Sequence, residues 1–178
     1  MSSPIIRPYL ATDAPAVMEA ALESVAEIEP WMPWCHAGYN LELAREWIAL
    51  STRNRADGTS YEFMICDDED RCLGACGIND FHREYPIANI GYWVRSSASG
   101  RGVAPAAVRL AVRWAFANTP LQRLEIVAAT GNVRSQRVAE KAGAIREGVL
   151  RARLQLHGRL HDAVMYSIVR SDVSPETG

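Results

Sequence analysis

The chain has 178 residues, 48% of them hydrophobic and 22% charged, which suffices for one globular core and is short for two. A formal net charge of -2 gives no global basic field, which excludes a protein that holds nucleic acid mainly by neutralising phosphates; any anion site has to be local. No apolar run approaches the roughly 18 to 20 residues that cross a bilayer, and the start MSSPIIRPYL lacks the basic-then-apolar layout of a signal peptide. The expectation is a cytoplasmic protein with neither membrane nor nucleic acid as partner.

In chain order, IIRPYL reads as a short strand. Thr12 and Asp13 can cap a helix that starts at Ala14, tolerates Pro15 in its first turn and ends near Glu29 and Pro30. Pro33 and Gly38 make the tract WMPWCHAGYN a loop, and a second helix follows from about Leu41 to Arg55. After a turn at Asp57-Gly58, the segments YEFMIC, CLGACGIND and ANIGYWV alternate with polar turns and predict an antiparallel meander. Beyond SGRGVA come a helix to about Asn118, the strand RLEIVAAT, a helix from about Val133 to Ala142 that Gly143 closes, and a long hairpin to Arg170 turning at Gly158-Arg159. The pattern predicts a mixed α/β fold with about four helices, one domain over residues 1–170 and a loose tail over 171–178.

The cysteines do not suggest a metal. Cys72 and Cys76 share a strand in which four residues span about 13 Å, so with Cys35 and Cys66 they read as buried thiols. His157 and His161 have metal-like spacing only on a helix, whereas they fall on the hairpin, and no metal is expected.

The glycine junction SGRGVA asks for a different ligand. A helix N-terminus leaves backbone N–H groups unpaired and carries about half a positive charge, and Gly100 and Gly102 let the backbone turn tightly and a ligand approach. Pro105 fits the first turn that follows. The P-loop is excluded because no Lys-Ser or Lys-Thr follows the second glycine, and the dinucleotide fingerprint because a third glycine is missing. Further on, Asn132 is placed to cap a helix that carries Ser135, Val138, Ala139 and Ala142 on one face and a basic stripe of Arg134, Arg137 and Lys141 on another. By themselves Asn132 and Ser135 could be plain capping residues.

Taken together, GYWV, GRGVA opening a helix, the run N-x-x-S-x-R-V-x-E-K-x-G, the late HDAVMYSI and the early EPWMPW resemble the GNAT superfamily of acetyl-CoA-dependent N-acetyltransferases. The resemblance is to the RimJ/RimL branch that acetylates N-terminal amines of ribosomal proteins. It implies a GNAT-like sheet, mostly antiparallel, with a splayed strand pair holding the cofactor. It implies that Gly100, Arg101, Gly102, Val103 and Ala104 hold the pyrophosphate through backbone N–H groups, that Val94 offers backbone groups to the pantetheine amides, and that Asn132 bonds the pantetheine arm. Arg134 and Arg137 either reach the cofactor's phosphates or form a solvated face. Ser135 is implied to reach the cofactor's sulfur, as general acid toward the departing thiolate.

Two positions depart from the family's pattern. Ser99 stands where Gln or Arg usually begins the glycine motif, and Asn89 stands on the strand before I-G-Y where relatives often carry glutamate. An amide cannot act as base, so Asn89 is expected to orient a water or the amine. An α-amine, with a reference pKa of about 7.7 to 8.0 against about 10.4 for lysine, needs less help, which favours an N-terminal acceptor. Asp80, His82 and Glu84 in the turn before that strand, and Glu62 on the preceding one, are the other candidate bases, and each reads more simply as a surface charge. Trp31, Met32 and Trp34 could wall an acceptor pocket or merely cover the core; Tyr92 reads as packing with Trp93 and is also counted with Trp31 and Trp34 among the acceptor-facing residues. A small-molecule amine acceptor, a non-catalytic acyl-CoA-binding module and a homodimer remain open from the residues alone.

Overall fold

The structure, a computed structural model, describes residues 3–173. Seven strands pair into one sheet: β1 (Ile5–Pro8), β2 (Tyr61–Cys66), β3 (Cys72–Asn79), β4 (Ile87–Val94), β5 (Arg123–Ala129), β6 (Ile145–Leu156) and β7 (Arg159–Val169). Their order across the sheet is β1, β2, β3, β4, β5, β7, β6, antiparallel at every junction except β4 with β5. Five helices accompany them: α1 (Ala14–Glu23), α2 (Val25–Ile28), α3 (Leu41–Ala56), α4 (Val103–Asn118) and α5 (Val133–Ala142).

The meander and the later elements stand where the residue pattern puts them, and three details differ. The first predicted helix is two. Ser24 donates from Oγ to the carbonyl of Ala20 (2.7 Å), a back-bond that bends helices, and the same oxygen accepts the N–H of Ser96 (3.0 Å). Asp13 does not cap α1 with its side chain; it is buried, accepting from Arg7 (2.7 and 2.9 Å) and from the Leu10 N–H (2.7 Å). The hairpin turns one residue early, at His157 (φ 48°) and Gly158 (φ 75°), the pair of positive angles that a two-residue type I′ turn demands. At the C-terminus Arg170–Asp172 close a 3-10 turn and Val173 packs on the core, while the rest of the expected loose tail, 174–178, lies outside the described residues.

Strand side chains alternate between two faces, and each face has its own core. Toward α4 and α5 the sheet presents Phe63, Ile65, Ile78, Ile90, Leu124 and Ile126. The stripe Ala107, Ala111 and Ala115, repeating every four residues and fully buried, lets α4 lie close on them. Toward α1 and α3 it presents Met64 and Ala75 to Val17, Ala20, Ala21, Ala44 and Ile48. All four cysteines are buried and free, and burial pushes the thiols of Cys35 and Cys72 up to about 11 and that of Cys66 up to about 12.

One junction positions everything that follows. β4 and β5 pair only at Ile87 with Arg123, Ala88 with Leu124 and Asn89 with Glu125, and then diverge. From Ile90 to Val94 the edge of β4 has no strand partner on that side among the described residues.

Candidate active site

Both parallel strands end at the mouth of this split, and each feeds a helix whose N-terminus opens there, the place where open α/β sheets gather ligands. The chain leaves β4 through Arg95 and a 3-10 turn over Ser96–Ala98, then makes the glycine turn. Gly100 (φ 76°) and Gly102 (φ 79°) are left-handed, and a Cβ added at either would meet nothing within 4 Å. The glycines therefore answer to backbone conformation and open space, not to packing. Among the described residues no hydrogen bond takes up the N–H groups of Gly100, Arg101, Gly102, Val103 or Ala104, and no side chain caps α4. Pro105, buried in the first turn, has no N–H to satisfy.

The turn is held from the opposite face. Glu23 of α1 accepts the N–H of Ser97 (2.7 Å) and pairs with Arg95, whose Nη2 also reaches Glu19 (2.9 Å), and the Ser96 hydroxyl donates to Glu27 (2.7 Å). Arg95 and Ser97 hold the Glu23 carboxyl down at about 2.

Across the split, Asn132 caps α5 by accepting the N–H of Ser135 (3.1 Å), which leaves its amide nitrogen without a hydrogen bond among the described residues. Gln136 donates to the carbonyls of Ala129 (3.2 Å) and Thr130 (2.9 Å), tying the first turn of α5 to the end of β5. The Tyr92 hydroxyl of β4 donates to the Ser135 carbonyl (2.9 Å) and lies 3.0 Å from Ser135 Oγ. With its one proton on the carbonyl, the phenol accepts from the serine hydroxyl. Burial pushes the Tyr92 phenol up to about 12, although the bond to Ser135 opposes it, so the pair is neutral at ordinary pH. Arg134 and Arg137 are exposed and make no ion pair among the described residues.

On the α1 and α3 side of β4 lies a cavity of about 780 Å³. Aromatic rings wall it: Trp34 stands edge-on to Trp93 (5.6 Å between centroids) and to Tyr39 (5.5 Å), with Tyr9, Trp47 and Tyr92 also lining it. Its floor is different in kind. Gly77 and Gly91 face each other across β3 and β4, and the carboxylate of Glu62 lies over Gly77 in the space a Cβ would need. Glu62 is 8% exposed, and Asn79 donates to its Oε1 (3.2 Å) while Asn89 donates to Asn79 Oδ1 (2.9 Å). A row Glu62, Asn79, Asn89 thus crosses three strands. Burial raises the Glu62 carboxyl above the usual carboxylate range, and Asn79 and Arg55 do not cancel it.

Residues 5–145 match the acetyltransferase (GNAT) domain family. The chain belongs to the GNAT acetyltransferase family. It is 29% identical over 161 residues to the Bacillus subtilis protein named "Putative ribosomal N-acetyltransferase YdaF", covering 90% of this chain and 87% of the relative. It is 29% identical over 110 residues to the Escherichia coli ribosomal-protein-serine acetyltransferase, covering 62% and 61%. Among solved structures, Mycobacterium smegmatis RimJ in complex with CoA-disulfide superposes with a TM-score of 0.88 at 25% identity, covering 97% of this chain and 84% of that one. The protein is therefore an acetyltransferase of the GNAT fold, and its relatives are RimJ/RimL-like.

Within this GNAT domain the split brings together Val94, the five residues from Gly100 to Ala104, Asn132 and Ser135, while Trp34 belongs to the cavity and Tyr92 to both; Asn89 does not line the cavity and stands behind its wall residue Asn79, at the last paired position before the split. Trp31 is placed otherwise than with Trp34: it does not line the cavity, because its ring packs on Gly131 (3.2 Å to the position a Cβ would take), beside the cap of α5. Tyr166 is fully buried and donates to Glu140 (3.1 Å), and Glu125 pairs with Arg123 (2.8 Å). Asp80, His82 and Glu84 are exposed, as surface charges should be. Glu62 is not one of them. The signal was present, since a lone carboxylate inside YEFMIC sits in a strand whose other interior positions are all apolar.

Proposed function

We propose that this acetyltransferase uses acetyl-CoA and transfers the acetyl group to a primary amine, the α-amine of a protein or peptide N-terminus. In this reading residues 1–170 act as one catalytic domain in the cytoplasm, and the acceptors are ribosomal proteins like those named for its relatives. The observation that carries the reading is the split between β4 and β5, with unsatisfied N–H groups at its mouth and a serine hydroxyl on its wall.

The residues present fit acetyl-CoA. Five free backbone donors at Gly100–Ala104, two glycines with open space above them and the positive end of α4 suit a pyrophosphate. The bare edge of β4 through Val94 suits the amides of a pantetheine arm, which would add to the sheet like a strand. The amide nitrogen of Asn132 is free to donate to the same arm, and Arg101, Arg134 and Arg137 supply cations around the phosphates. Bound there, acetyl-CoA supplies a thioester whose carbon is open to attack by an unprotonated amine.

The chain's own residues then have three tasks. The Trp34 and Trp93 side of the cavity receives the acceptor and excludes water. Asn89, fixed by Asn79, orients the amine nitrogen. Ser135, whose hydroxyl rests on the Tyr92 phenol beside the split, turns its O–H to the sulfur as it leaves and donates a hydrogen bond and then the proton there.

The test incubates the protein with isotopically labelled acetyl-CoA and follows label by mass spectrometry into peptides with free N-termini, lysine peptides with blocked termini, and small amines. Label on α-amines at the highest kcat/KM is the expected result. Label on small amines alone would replace the acceptor, and binding of acetyl-CoA with label on nothing would overturn the reading in favour of a cofactor-binding module.

A further inference from the structure

Asn89 of β4 is an amide and cannot act as base, yet a carboxylate lies one row away, linked to it through Asn79. We propose that Glu62 of β2 anchors the acceptor's ammonium and takes its proton, reaching it over the glycine floor of the aromatic cavity, and that the acceptors are primary amines on apolar groups. This inference rests on the N-acetyltransferase reading and names its proton acceptor and acceptor class.

The geometry has three parts. Glu62 Oε1 is held by Asn79, whereas Oε2 has no hydrogen-bond donor among the described residues. The carboxylate lies over Gly77, which pairs with Gly91, and residues opposite each other in an antiparallel pair stand about 4.5 to 5.5 Å apart. From Glu62 to the bare edge of β4 there is thus no side chain in the way, and the gap suits an ammonium in contact or one bridging water. Asn79 and Asn89 line one flank of this track, and Ala75 and Trp93 the other, as the register dictates.

The surroundings decide what enters. The walls are apolar and aromatic: Tyr9, Met32, Trp34, Tyr39, Leu43, Trp47. The charged and titratable groups that face Glu62 are few: Arg55 of α3, which donates to the Glu62 backbone carbonyl (2.9 Å), Asp80 beyond β3, Tyr9 and Cys76, with Glu46, Arg53 and His36 on the cavity wall. A carboxylate buried at one point of an apolar cavity recognises a cationic head with an apolar body. Its basicity is raised by the same burial, as a proton acceptor requires.

The step balances. The ammonium gives one proton to Glu62, and the freed lone pair forms the carbon–nitrogen bond as the carbon–sulfur bond breaks with its electron pair on sulfur. The nitrogen then loses a second proton. The thiolate takes the Ser135 proton, the second nitrogen proton restores that hydroxyl through water, and the first passes from Glu62 to water.

The experiment uses the full chain, wild type and Glu62→Gln, with melting curves to establish that the variant folds, and Glu62→Asp as a second variant that keeps a carboxylate. Phenethylamine and the neutral 2-phenylethanol are titrated by calorimetry, and kcat/KM for acetyl transfer to a peptide with an apolar N-terminal residue is followed from pH 6 to pH 9. The expected result is amine binding weakened at least tenfold in Glu62→Gln with 2-phenylethanol unaffected, and kcat/KM about 100-fold lower near neutral pH, recovering as pH rises and the amine loses its proton unaided. Glu62→Asp restores part of both. Equal amine binding by wild type and Glu62→Gln, or a pH profile that the substitution does not move, overturns the proposal. Amine binding that depends on Glu62, without acetyl transfer by any form, would contradict the N-acetyltransferase reading and leave the anchor standing.

Discussion

The two sides of β4 are built from different materials. On the side of the split the groups that the proposed function gives to acetyl-CoA are mostly backbone: a strand edge without a partner among the described residues, five N–H groups at the start of α4, and glycines that keep the space above them clear. On the cavity side they are side chains drawn from β2, β3, β4, α3 and the loop before it, and the backbone contributes only a floor. A site of backbone groups suits a cosubstrate that is the same in every turnover, whereas a site of side chains can be retuned to an acceptor without disturbing the fold.

The largest effect should come from spoiling the backbone side. Gly102→Glu forces a side chain into a left-handed position, which costs roughly 1–2 kcal/mol, and places a negative charge at the positive end of α4, so acetyl-CoA affinity measured by calorimetry should fall about 100-fold or more. Ser135→Ala should lower kcat about 100-fold and leave acetyl-CoA affinity unchanged, because the Asn132 cap uses the backbone N–H that remains. Trp34→Ala should raise KM for an apolar acceptor about tenfold with little change in kcat, because it removes a wall and no reacting group.

The smallest effect concerns the joint between the two sides, where Glu23 of α1 grips Arg95 and Ser97 ahead of the glycine turn. Because the folded Glu23 carboxyl is held down at about 2, its stabilisation is complete above the ordinary carboxylate range and is lost as pH falls toward that value. Glu23→Gln should lower the melting temperature by about 2–4 °C at pH 7, the shift that about 1 kcal/mol makes in a domain of this size, and the difference from wild type should shrink as both are acidified toward pH 2.

The same contrast explains what could be read from the residues alone. The glycine turn, the Asn132 cap and the serine one turn later are local, since their spacing along the chain already fixes their geometry. The order of strands and helices was equally legible, because period-two and period-3.6 patterns are local too. The cavity was not. Glu62, Asn79 and Asn89 meet only through the registers of β2 with β3 and of β3 with β4, and a shift of one residue in either would turn them to opposite faces. Trp31 and Trp34, three residues apart in a loop, go to different sites because no helix or strand repeat governs their directions. The break between α1 and α2 was hidden for the same reason, since Ser24 bends the chain toward Ser96, far along the sequence.

The most direct measurement records amide and side-chain NMR shifts of the labelled protein as CoA is added, followed by phenethylamine. The account predicts that CoA moves the amides of Gly100 to Ala104, Val94 and Asn132 and leaves Gly77 in place, and that the amine then moves Gly77, Gly91, the side-chain amides of Asn79 and Asn89, and the indole of Trp34. CoA shifts centred on Gly77 and Glu62, or amine shifts confined to the glycine turn, would contradict the division of the site across β4.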